Sequence, residues 1–201
     1  MNIRQPRFLT ALIIVVLSGF AVWRGIDIVR FKLALSAEAP QSDALQQWYS
    51  VPGVGTLARE AGLPDRLQAA DKQELARERD ALVGYLAVKP ASSVQWLMLA
   101  AARLLLGESK DRVIAAYSLS VVTGPNENDV MVERAKFGLY LWDELPPDLK
   151  QREINDLSLG FFSGEEKEAV QKLLAGMSAA SRDEIVRALP KTRRQAFGLD
   201  S

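Results

Sequence analysis

The side chains that most often perform chemistry are missing from this chain. Its 201 residues include no His and no Cys. Without His there is no ordinary general base, no imidazole metal ligand and no group that titrates unperturbed near neutral pH. Without Cys there is neither a disulfide framework nor a thiolate nucleophile. No Ser-x-x-Lys motif stands in for them. Carboxylates remain, 25 Asp and Glu against 25 Lys and Arg. A glycan hydrolase needs two of them about 5–9 Å apart in a cleft, one with a raised pKa, and abundance alone does not point to a pair. The glycines of Val51-Pro52-Gly53-Val54-Gly55 belong neither to a GxGxxG fingerprint nor to a Gly-Lys-Ser/Thr phosphate loop, so they read as a chain reversal. The spacing therefore assigns no catalytic, cofactor-binding or metal-ligating residue and implies no cofactor. A net charge of zero without a basic block argues against nucleic acid as the main partner.

What the chain offers instead is apolar surface, 48% of its residues. Phe8 to Trp23 is an uncharged apolar run behind a short head, residues 1–7, that carries Arg4 and Arg7. It is somewhat short for a span of about 20 residues, but Arg7 and Arg24 can snorkel and Trp23 suits the interface. A cleaved signal peptide is the rival, yet Gly19-Phe20-Ala21 lies inside the run and Ala37-Glu38-Ala39 is far from it. The expectation is an uncleaved signal anchor over 8–24 in a bacterial inner membrane, crossing once, with the head cytoplasmic and the helical domain extracytoplasmic. A membrane-proximal helical linker follows over 25–70, then a helical domain over 71–190 and a loosely structured tail over 191–201.

Two helices and a short turn, Ser92 to Glu127, hold the densest apolar content outside the N-terminus. The first, about Ser92 to Leu106, is apolar on nearly every side, which predicts burial with Trp96 in the core. Gly107 suits a left-handed stop. The second, about Asp111 to Val122, ends at Gly124-Pro125, where Gly permits positive φ. Before this pair, Asp71-Lys72-Gln73-Glu74 reads as a capping box for a helix to about Val88. After it come helices over about 128–144 and 148–159. Ser163-Gly164-Glu165-Glu166 and Ser181-Arg182-Asp183-Glu184 read as two further capping boxes. No stretch alternates polar and apolar residues for long, so the fold class is all-α.

The central pair resembles a tetratricopeptide repeat. Trp96, Leu99 and Gly107 stand at the first-helix spacing, and Tyr117, Ser120 and Pro125 fit the second helix with one residue inserted near the turn; Ala100 stands where the motif has its first Gly. The pair over 128–159 has repeat-like length and reads as a second, degenerate repeat. An N-terminal transmembrane helix followed by a tetratricopeptide-like array of antiparallel hairpins is the architecture these features predict.

Several phrases together are similar to a family of uncharacterised single-span membrane proteins of alphaproteobacteria. They are Trp48-Tyr49-Ser50-Val51-Pro52-Gly53, Asp80-Ala81-Leu82, Ser92-Ser93 with Trp96-Leu97, Thr123-Gly124-Pro125-Asn126-Glu127, Arg134 with Phe137-Gly138-Leu139, and Trp142 followed by Leu145-Pro146. Members are often associated with surface-polysaccharide assembly. The resemblance implies a partner-binding surface at Arg103, Asn126, Glu127 and Arg134, with an envelope membrane protein as partner. A structural role for the same residues stays open: Asn126 and Glu127 can cap the next helix, and Arg134 can pair with Glu133 or Asp156. The functional expectation is a membrane-anchored interaction protein of the bacterial envelope. A permanent structural subunit is the alternative, ahead of a carboxylate-dependent glycan-acting enzyme.

Overall fold

The computed structural model describes residues 13, 14, 16, 18, 26–33, 45–51, 54–63, 67 and 71–199. The chain divides into two compact units, Met1–Pro64 and Asp65–Ser201. All regular structure among the described residues is helical, with no strand. No helix among them is long and apolar enough to cross a membrane. The expected span over 8–24 lies largely outside the described residues.

In the first unit, residues 26–33 are helical and α1 runs over Gly55–Ala61. Phe31, Leu45, Val54 and Ala58 close a small core, with Phe31 edge-on to Trp48 at 5.6 Å between ring centroids. Gly55 lies against the Tyr49 carbonyl, where a Cβ would collide, and its amide donates to the Val51 carbonyl at 2.8 Å.

The second unit opens with α2, Lys72–Leu86, and the Asp71 carboxylate accepts from the amides of Gln73 and Glu74. Helix α3, Ser93–Leu106, stops at Gly107, whose φ of 74° places it in the left-handed region. Helix α4, Lys110–Thr123, follows within three residues and packs back on α3, as α2 also does. Helix α5, Asn128–Tyr140, leads through a 3₁₀ turn at Trp142–Glu144 to α6, Pro147–Leu159, and these two pack together. Helices α7, Gly164–Gly176, α8, Ala179–Ala188, and α9, Lys191–Ala196, complete the unit.

Five expectations need correction. Gly124 has φ −142°, so it is not there for positive φ; its Cα packs against Ser93, whose Cβ and Oγ would lie 2.5 Å from an added Cβ. Trp96 is only half-buried, its indole N–H donating to the Pro90 carbonyl at 2.7 Å. The tryptophan in the core is Trp142. Helix α5 ends at Tyr140, not Glu144. The expected box at Ser181 does not form, because Ser178 three residues earlier caps the helix and accepts the Ser181 amide. Finally, the C-terminal segment is not loose. It forms α9 and inserts Phe197 edge-on against Phe162, beside Leu174, Ile185 and Leu189. The box at Ser163 and Glu166 is complete as expected.

Candidate functional site

The polar chemistry of the second unit is concentrated where α4, α5 and α6 meet. Helix α5 buries Val130, Met131, Arg134, Ala135, Gly138 and Leu139, positions that recur at the spacing of one helix face. An arginine and a glycine thus sit in a core register. Helix α6 buries Leu149, Glu153, Ile154, Asp156 and Leu157 the same way. Arg134 grips Asp156 bidentately, Nε to Oδ2 at 2.7 Å and Nη2 to Oδ1 at 3.1 Å. Its Nη1 donates to the carbonyls of Ser120 at 3.2 Å and Gly124 at 2.7 Å. One side chain therefore satisfies carbonyls at the end of α4 and fastens α6 to them.

Beside this pair, the Tyr117 hydroxyl donates to Glu153 Oε2 at 2.6 Å. Glu153 has no exposed surface, and its Oε1 lacks a hydrogen-bond partner, as does the nearby Ser120 Oγ. Room for the carboxyl comes from Gly138, where a Cβ would collide with it and lie 2.6 Å from Tyr117 Oη. Burial pushes the Glu153 carboxyl well above the usual carboxylate range, against the lowering effect of the Tyr117 hydrogen bond. Burial, with the Glu153 charge second, likewise pushes the Tyr117 phenol well up. Asp156 is also raised by burial, partly opposed by Arg134. The arrangement keeps one ion pair, Arg134 with Asp156, and one buried carboxyl of raised pKa, Glu153, inside the unit. Neither carboxyl faces water, so substrate would reach them only if the helices parted.

The four residues singled out by sequence resemblance divide between two ends of the unit. Asn126 and Glu127 are exposed in the turn after α4, directly above Arg134, which holds that turn through Gly124 from beneath. Glu127 occupies the cap position of α5 without a side-chain cap bond; its carboxylate instead accepts from Ser93 Oγ at the start of α3. Arg134 is fully buried, and of the two acids named for it the structure selects Asp156. Arg103 is not with them. Its Nη1 donates to the carbonyl of Arg112 at the start of α4, and the 14 residues of α4 separate the two ends by about 20 Å. The end that carries Asn126 also carries the exposed apolar side chains Val122, Leu159 and Phe161. Phe161 is brought there by its amide, which donates to Asn128 Oδ1 at 2.8 Å.

Sequence reasoning missed Glu153 and the contacts that Tyr117 and Gly138 make with it. The signal was present: Leu149, Glu153, Asp156 and Gly160 share one helical stripe, so acids at apolar positions foretell a buried polar cluster. A second polar cluster follows Trp142. Its indole N–H donates to Glu184 Oε2 at 3.1 Å, Lys150 lies 4.9 Å above its ring, and Lys150 also pairs with Glu184. No group of His, Cys, Asp or Glu among the described residues is arranged to hold a metal ion. No family model, curated protein or solved structure matches the chain.

Proposed function

We propose that this chain is a membrane-anchored interaction protein of the bacterial envelope, whose tetratricopeptide-like hairpins present a binding surface to another envelope membrane protein. The reading places the anchor at residues 8–24, the helical domain outside the cytoplasm, and the partner in surface-polysaccharide synthesis or export. The observation that carries it is the exposed apolar end formed by Val122, Leu159 and Phe161 beside Asn126 and Glu127. Phe161 is 79% exposed and Val122 70%, although the same segments bury large residues nearby. Large apolar side chains left exposed at helix ends are candidate contact points, and stacked hairpins bind partners without any catalytic group. The polar groups fit the same reading, since Arg134, Asp156, Tyr117 and Glu153 are used inside to fix that end rather than displayed.

A photo-reactive amino acid placed at Phe161 tests this in native membranes. The expected product is a discrete adduct with an envelope protein, absent when the probe is moved to the exposed Gln151 on α6. Equal labelling from both positions would defeat the assignment of the face. A permanent structural subunit would give the same adduct, and without irradiation its complex would also survive dilution after solubilisation.

A further inference from the structure

At the opposite end of the unit, three guanidiniums converge on one carboxylate. Glu108 Oε1 accepts from Arg79 Nη1, and its Oε2 lies 3.7 Å from Arg103 Nε and 3.6 Å from Arg112 Nη1. Asp80 Oδ1 lies 2.7 Å from Arg79 Nε, but off the hydrogen-bonding line. The group thus holds three cations and two anions, a surplus of one positive charge. The Nε atoms of Arg79 and Arg103 are shut off from water without an aligned acceptor. Unsatisfied donors of this kind are rare in native structures and each calls for a reason. They are also well placed. Arg103 is held by its bond to the Arg112 carbonyl at 2.9 Å, so little side-chain freedom remains to be lost on binding a ligand.

We propose that Arg79, Arg103 and Arg112 form a carboxylate-binding seat, filled in the free protein by the chain's own Glu108 and taken over by a Glu or Asp side chain from an acidic segment of a protein partner. The ligand is a carboxylate because the seat already fits one, and the planar guanidinium fork matches that group in two-point contacts. Exchange is feasible because Glu108 follows Gly107, around which there is open space, and because Arg112, whose side chain is 68% exposed, gives the incoming charge a landing point. The surplus positive charge favours a second carboxylate over none. This inference rests on the interaction reading above and names the chemistry of the partner.

The test is a titration of the full-length chain with a short Glu-rich peptide, N-acetylated and C-amidated, followed through arginine Nε–H resonances and peptide anisotropy. The same peptide with Gln for Glu is the control. Glu108→Gln removes the internal competitor and is expected to tighten Glu-peptide binding at least about tenfold, the worth of one charge-assisted hydrogen bond. Adding Arg112→Gln to that variant is expected to cancel the gain. Arg112 is exposed, so its loss leaves the fold intact and unfolding cannot mimic the result. No gain in Glu108→Gln, or a gain that survives Arg112→Gln, overturns the proposal. Binding of a polyuronate but not of the peptide overturns it in favour of an acidic polysaccharide. If membrane cross-linking captures a partner while Glu108→Gln gains nothing, the seat fails and the interaction reading stands.

Discussion

Replacing Glu153 by Gln removes one titrating proton from the core while keeping its shape. In the folded chain the Glu153 carboxyl faces Tyr117 on α4, Arg134 and Gly138 on α5, and Asp156 on its own helix, with one oxygen unbonded. Its pKa is raised by burial, whereas an unfolded Glu titrates near 4.3. A raised folded pKa means that the native state binds the proton more tightly than the unfolded state. That contribution is fully present below the unfolded pKa and is lost as pH rises through the folded one. Between those two values a single group changes stability by about 1.4 kcal/mol per pH unit. Asp156 and Glu78 are raised by burial too, so the raw pH curve of the wild type mixes several groups. The difference between the wild type and Glu153→Gln isolates one. Urea unfolding from pH 4 upward is expected to show the variant gaining on the wild type by about 1.4 kcal/mol per unit, then levelling off. Parallel curves across the whole range would refute a protonated Glu153, and a gap of opposite sign would require an ionised carboxylate in the core.

Four further tests use urea or thermal unfolding, two of them on the same cluster. Gly138→Ala drives a methyl into the Glu153 carboxyl and Tyr117 Oη and is expected to cost about 1–3 kcal/mol, reduced when combined with Glu153→Ala; no rescue would place the strain elsewhere. Arg134→Met leaves Asp156 buried without its partner and is expected to cost about 3–5 kcal/mol, whereas a loss under about 1 kcal/mol would mean that water reaches the pair. Trp142→Ala is expected to cost about 3–5 kcal/mol, with Trp96→Ala costing clearly less because Trp96 keeps one face to solvent; the reverse order would reinstate Trp96 as core. Phe197→Ala is expected to lower thermal stability and speed proteolysis after Pro190, and an unchanged melting curve would detach α9 from the fold.

Helix positions were legible because their signals are local. Gly107, Asp71 and the Ser163–Glu166 box mark ends through backbone and neighbour chemistry alone. What misled was chemistry that depends on distant partners. Trp96 looked buried because its helix is apolar all round, yet burial is decided by what packs on each side, and Val94 and Leu105 of the same helix are exposed as well. Ser181 had the right neighbours for a cap, but Ser178 was available one turn earlier, and the Ser181 hydroxyl instead donates to Asp143 across the fold. The segment over 191–201 reads as a loosely structured tail because the polar residues Lys191, Arg193 and Arg194 dominate it. A single aromatic residue past them, Phe197, settles its position. For the candidate site, pairing of Arg134 with Asp156 could be anticipated from charge and the burial of Glu153 from its helical stripe, while its bond to Tyr117 could not. That contact joins residues 36 apart in sequence and depends on a glycine on a third helix.

Binding of an envelope protein is the role proposed for this chain. It is tested most directly by cross-linking in native membranes, affinity purification of the full-length chain and mass spectrometry. The expected result is recovery of a polysaccharide polymerase, ligase or export protein, lost when Phe161 is replaced by Asp. Recovery of nothing above background from membranes that contain the folded chain would contradict it.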